Sequence, residues 1–226
     1  MKFLNYDIKA VIFDMDGTLI DSTGLWHEID KKFFAKRNMD LPKEYAQKIV
    51  HLGLKQAANF TKKEYGIKET PEEIIQEWRQ MAIDFYVNEV QLKEGALELL
   101  KLFKEKGLKL SIATANDAEL YMPCVERLGI GSYFDFIDDV NVSQKGKEDG
   151  KIYLDLVEKM KTKTVNTLVL EDMPTCLKTV HGIGFPTVAV YDKASEKYDE
   201  EKRSNSDLYI DNFNELIKLL KGELYE

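Results

Sequence analysis

Cysteine is nearly absent from this chain of 226 residues. Cys124 and Cys176 are the only two, far apart and outside any metal-ligand spacing. That argues against a disulfide-stapled scaffold and a zinc site, and leaves two reduced thiols. Long apolar runs are missing as well: no stretch approaches the roughly 20 residues that span a bilayer. The N-terminal MKFLNYDIKAVIF is interrupted by Asp7 and lacks a small-residue cleavage site, so a cytoplasmic protein with no membrane partner is expected. Positive charge is in deficit, with 32 Lys and Arg against 40 Asp and Glu and a formal charge of −8. Such a chain lacks the broad cationic surface that nucleic acid demands, and no nucleic-acid partner is expected. Internal repeats and low-complexity tracts are also missing. What remains is ordinary globular material, 44% hydrophobic and 32% charged. At about 150 residues per domain the length suggests one main domain carrying an insertion.

The apolar runs that do occur are short. IKAVIF (8–13), LKLSIAT (108–114), NTLVLED (166–172) and FPTVAVYD (185–192) show little alternation, as strands buried on both faces do. Between them, residues 97–106, 117–128, 151–161 and 214–221 carry apolar side chains at helical spacing, and Gly107 can end the first of these helices. Strand and helix in alternation predict an α/β fold, a Rossmann-like parallel sheet with helices on both faces. The stretch from Ser22 to Val90 departs from this and reads as amphipathic helices only. In it, Thr70-Pro71 with Glu73 makes a capping-box start for the helix over 72–90. The expected organisation is a Rossmann-like core over 1–20 and 93–226, with a helical block over 21–92 inserted after the first strand.

In open α/β sheets, ligands bind beyond the carboxyl ends of the strands. Those ends carry Asp14 and Asp16, then Thr114, then Glu171 and Asp172. Acidic strand ends gathered in one crevice repel one another unless a cation joins them, and hard oxygen ligands suit Mg²⁺. Lys147, in GKEDG before a helix, can reach the same crevice as a counter-charge. These residues make a phosphate site. One carboxylate of the Asp14/Asp16 pair can attack phosphorus while the other protonates the leaving oxygen and later activates water. Thr114 offers a hydroxyl to the phosphoryl oxygens, and Lys147 offsets their charge.

DMDGT at 14–18 after IKAVIF, Thr114 in SIATAN, Lys147 in GKEDGKIYL and Glu171-Asp172 in LVLEDMP together resemble the haloacid dehalogenase superfamily, in its phosphatase branch with a small helical cap. The resemblance covers nearly the whole chain. It implies that Asp14 is the nucleophile and Asp16 the general acid/base. It also implies that Asp14, the backbone carbonyl of Asp16 and Asp172 hold Mg²⁺, with Glu171 nearby. Asp16 favours phosphate esters, because dehalogenases of this superfamily need no proton donor there. In the resembled family a cap loop covers the site, which makes Gly53, Leu54 and Lys55 the candidates for substrate selection. Trp26 is a further candidate pocket residue, with His27 and His51 weaker ones.

The implied activity is a Mg²⁺-dependent phosphatase working through an aspartyl-phosphate on a small phosphorylated metabolite such as a sugar phosphate, as a monomer or homodimer. The alternative is a beta-phosphoglucomutase-like phosphosugar mutase. Two departures weigh against it: Trp26 stands where those mutases have a histidine, and Gln56 where they have an arginine. Ala115 follows Thr114 where serine or asparagine is usual, so the phosphate hydrogen bond expected there is either absent or supplied by Asn116.

Overall fold

The computed structural model describes residues 1–49, 52–140 and 146–222. They form two compact units, one from Met1–Thr23 and Val90–Glu226 and the other from Gly24–Glu89.

The larger unit is built on six parallel strands: β1 (Ala10–Asp14), β2 (Lys109–Thr114), β3 (Phe136–Asp139), β4 (Thr167–Glu171), β5 (Thr187–Val190) and β6 (Leu208–Ile210), in the spatial order β6-β5-β4-β1-β2-β3. Every residue of β1 and β4 is buried, as the unbroken apolar runs predict for central strands. Alternate residues of β1 serve opposite faces. Phe13 packs its ring against Phe103, Phe134 and Phe213, while Ala10 and Ile12 join a cluster with Ile152, Tyr153, Leu156 and Val180. Helices therefore flank both sides of the sheet, a Rossmann-like α/β architecture. Phe103 and Phe213 lie on the helices Ala96–Glu105 and Phe213–Lys221, whereas the cluster residues come from Lys151–Lys159 and Pro174–Ile183.

Two strands had no clear sequence signal. FIDD at 136–139 is half acidic, and LYI at 208–210 has only three residues; both form the sheet edges, where partial exposure removes the pressure for an apolar run. A two-stranded antiparallel ribbon pairs Ile20–Asp21 with Gln91–Leu92 at the point where the chain leaves and re-enters this unit.

The smaller unit contains the helices α1 (Leu25–Ala35), α2 (Tyr45–Ile49), α3 (Leu54–Tyr65) and α4 (Pro71–Asn88). Its core is aromatic: Phe34 meets Phe33, Tyr45 and Tyr65 edge-on, and Phe33 meets Trp78. Arg37 lies over the Phe33 ring and pairs with Glu69 and Glu77. The capping box at α4 forms as its sequence suggests. The Thr70 hydroxyl accepts from the Glu73 N–H at 3.2 Å, and Glu73 accepts from the Thr70 N–H at 2.7 Å. Among the described residues no helix is long and apolar enough to cross a membrane.

Candidate active site

The parallel sheet delivers three carboxylates to one place. β1 ends on Asp14 and β4 on Glu171 with Asp172 next; because these strands are neighbours in register, their ends meet. One oxygen from each of Asp14, Glu171 and Asp172 lies within 4.8 Å of the others, and all three residues are buried. Lys147, itself buried, donates to Asp14 Oδ1 and, at 2.7 Å, to Glu171 Oε1. Glu171 also accepts from the Tyr153 hydroxyl at 3.1 Å and from the Met173 N–H at 2.7 Å.

One ammonium among three carboxylates leaves the cluster short of positive charge. Burial pushes Asp14 well above the usual carboxylate range, the Glu171 charge adds to it, and Lys147 opposes it. Asp172 is raised to about 7, by burial first and then by the charges of Glu171 and Asp192. Lys147 moves up: burial opposes its charge, but Asp14 and Glu171 outweigh that. Asp14 Oδ2 is fully buried with no hydrogen-bond partner among the described residues. An orphaned carboxylate oxygen inside an oxygen-only, anion-rich cluster fits a hard divalent cation such as Mg²⁺.

Gly17 makes this closeness possible. Its φ of +81° turns the chain straight after Asp16, and a Cβ there would lie 2.8 Å from Asp172 Oδ2. Thr18, next in the turn, directs its hydroxyl to Asp172 Oδ1 at 3.4 Å. Asp16 is half-buried and stands apart from the cluster, its Oδ2 accepting from Asn116 Nδ2 at 2.6 Å. The metal contact expected of Asp16 is through its backbone carbonyl, whereas its carboxylate is held towards the end of β2. Thr114 is buried, and its Oγ1 accepts from the Asn116 N–H at 3.1 Å, which leaves the hydroxyl proton to donate. Ala115 is exposed between them. The Asn116 side-chain amide, expected on phosphate, is thus engaged with Asp16.

The remaining candidates stand on the helical unit. Gly53 is the N-cap of α3 in extended conformation, with open space where a side chain would be, and Leu54 and Lys55 follow exposed in its first turn. Trp26 on α1 is 55% exposed and so is not core. Trp26 and Leu54 line a cavity of about 380 Å³ with Asp30, Ala46, Ile49, Leu52, Ala57 and Trp78. Gln56 and His27 are exposed, and His51 lies outside the described residues. Asp30 went unnoticed in the sequence, where an acidic residue in an amphipathic helix reads as solvated; it is only 4% exposed, and burial raises it to about 7. Tyr153, Asp192 and Ser195 were missed as well, and Thr18 was given no role of its own within DMDGT, since nothing in a local pattern announces a site partner 18 to 154 residues away.

Comparison with known proteins adds to this geometry. The sequence profile of the haloacid dehalogenase-like hydrolases matches residues 11–190. A Clostridium perfringens protein provisionally named pyrophosphatase PpaX is 28% identical over 216 residues, covering 95% of this chain and 98% of its own. A Thermotoga maritima protein named phosphorylated carbohydrates phosphatase is 23% identical over 181 residues, covering 80% of this chain and 84% of its own. Among solved structures, one from Thermotoga maritima, provisionally named beta-phosphoglucomutase, superposes with a TM-score of 0.83 at 21% identity, over 96% of this chain and all of that one.

Proposed function

The chain belongs to the haloacid dehalogenase-like hydrolase family, and we propose that this phosphatase hydrolyses a small phosphorylated metabolite through an aspartyl-phosphate, with Mg²⁺ as its cation. The observation that carries the reading is the buried cluster of Asp14, Glu171 and Asp172, neutralised only in part by Lys147 and holding the orphaned Asp14 Oδ2. Asp14, Asp172 and the Asp16 carbonyl would hold Mg²⁺, with Glu171 beside them. The cation supplies positive charge that lets an anionic nucleophile and an anionic phosphate meet.

The chain's own residues do the rest. An Asp14 carboxylate oxygen attacks phosphorus, the bond from phosphorus to the leaving oxygen breaks, and Asp16 gives that oxygen its proton. Asp16, now ionised, takes a proton from the water that attacks the acyl phosphate, releasing inorganic phosphate and restoring Asp14. Asn116 suits Asp16 to this work by fixing one of its carboxylate oxygens. The Thr114 hydroxyl and the Lys147 ammonium bind phosphoryl oxygens, where charge grows in the transition state.

Trp26, Gly53, Leu54 and Lys55 select the organic part of the substrate in this reading. The cavity beside Trp26 and Leu54 pairs indole surface with the Asp30 carboxyl, a combination suited to the C–H face and hydroxyls of a sugar. The name of the T. maritima relative, phosphorylated carbohydrates phosphatase, supports that class.

The test is inorganic phosphate release from a panel of phosphorylated sugars, polyols and nucleotides, with Mg²⁺ or with EDTA. Release from a few sugar or polyol phosphates, lost with EDTA and in Asp14→Asn, is expected. Full release by a folded Asp14→Asn would refute the mechanism. A phosphosugar mutase would interconvert isomers without accumulating phosphate, so the same assay separates the two.

A further inference from the structure

Beyond the site itself, the larger unit buries a second lysine. Lys202, on the short helix Asp199–Ser204, has no solvent exposure. Its ammonium sits 2.6 Å from Asp199 Oδ1 and within 6 Å of the ring centroids of Tyr191 and Tyr209. It also donates to Ser195 Oγ at 3.2 Å. Ser195, likewise buried, stands 3.1 Å from Asp172 Oδ2 and 3.3 Å from the Asp192 carbonyl oxygen.

The roles along this chain of contacts are forced. An ammonium has donors and no acceptor, so Ser195 Oγ must accept from Lys202 and spend its single proton elsewhere. Of the two acceptors in reach, Asp172 Oδ2 is nearer and can carry charge, which makes it the stronger partner. Asp192 does not compete through its carboxylate, which is filled by Lys93 at 2.8 Å, by the Thr23 hydroxyl and by the Ala194 N–H. Asp199 neutralises Lys202, so the pair reaches the carboxylate cluster as an orienting contact and not as a net charge.

We propose that Lys202 and Ser195 are positioning residues for Asp172: the buried ammonium locks the Ser195 hydroxyl as a donor to Oδ2, holding the carboxylate in one orientation for a divalent cation. The proposal rests on Asp172 being a metal ligand, as in the function proposed above. Partners that orient ligands in this way commonly govern metal affinity by 10- to 100-fold.

The experiment measures Mg²⁺ dissociation constants by titration calorimetry, with thermal unfolding alongside, for the full chain and for Ser195→Ala, Ser195→Thr, Lys202→Met and the Ser195→Ala/Lys202→Met double variant. Ser195→Ala should weaken binding roughly 10-fold, and Ser195→Thr, which keeps the hydroxyl, should restore most of it. Lys202→Met should weaken binding alone yet add nothing in the Ser195→Ala background, because it acts only through that hydroxyl. A merely structural lysine would lower the unfolding temperature equally in both backgrounds and leave Mg²⁺ affinity alone. Unchanged affinity in Ser195→Ala, or tighter binding in Lys202→Met, overturns the proposal. If Lys202→Met does not fold, the Ser195→Ala and Ser195→Thr pair decides it. A wild-type chain that binds no divalent cation would sink the metal reading itself, an outcome distinct from equal affinities across the set.

Discussion

The cavity of the helical unit sets a stability test that is independent of catalysis. Asp30 is buried, and no described residue gives it a hydrogen bond or an ion pair. Desolvation alone raises it from 3.8 to about 7. In the unfolded chain it titrates near 3.9. Between those values the folded chain holds a proton that the unfolded chain has lost, so stability falls as pH rises through the window and levels off above about pH 7. Three units at about 1.4 kcal/mol each set an upper limit of about 4 kcal/mol. Partial solvation of the ionised carboxylate through the cavity lowers that to roughly 2 kcal/mol. Asp30→Asn keeps the shape and removes the charge. Urea unfolding at about pH 4.5 and pH 8 should therefore show the variant close to wild type at the acid end and more stable by about 2 kcal/mol at the other. A difference between the two proteins that stays constant with pH would mean that Asp30 ionises without penalty, and the buried-carboxyl argument would be wrong.

Other expectations concern the site and the caps. Mg²⁺ should raise the unfolding temperature more at about pH 8 than at about pH 5.5, because Asp172, raised to about 7, must release its proton to bind a cation; an equal rise at both would count against Asp172 as a ligand. Gly17→Ala places a Cβ into Asp172 at a φ of +81°, so a loss of about 1–3 kcal/mol in chemical denaturation and weakened Mg²⁺ binding should appear together. Thr70→Ala removes one arm of the capping box and should cost about 1 kcal/mol with no change in phosphate release. Loss of activity in that variant would tie α4 to the chemistry in a way the structure does not suggest.

The central strands were legible because burial on both faces leaves an unmistakable signature. Val11, Ile12 and Phe13 are all fully buried, and the few polar residues in the neighbouring strands, such as Ser111 and Thr167, are small enough not to break the apolar run. The edge strands Phe136–Asp139 and Leu208–Ile210 escaped because an edge needs a partner on one side only, and Asp138 can take Lys159 as a counter-ion there. Helix starts were readable where a local pair of residues makes the cap, as Thr70 and Glu73 do.

At the site, the same distinction between local and distant causes operates. Asp14, Asp16 and Gly17 are adjacent in sequence, and the turn that bends the chain out of β1 also needs the glycine, so chemistry and backbone point to one pentapeptide. The parallel register of β1 and β4 brings Glu171 beside Asp14, while Lys147, 24 residues before Glu171, reaches both carboxylates from the short turn Lys147–Asp149. Ser195 and Lys202 carry no such marker. A serine in a turn and a lysine on a charged helix are the commonest of surface residues, and only the fold reveals that this lysine has no water to face. A buried ammonium must direct its donors at protein acceptors, and the one nearest the cluster is a hydroxyl that has nothing left to give except its proton to Asp172. The sequence names the groups proposed to do the chemistry; the sheet, by burying what stands behind them, decides how firmly each one is held.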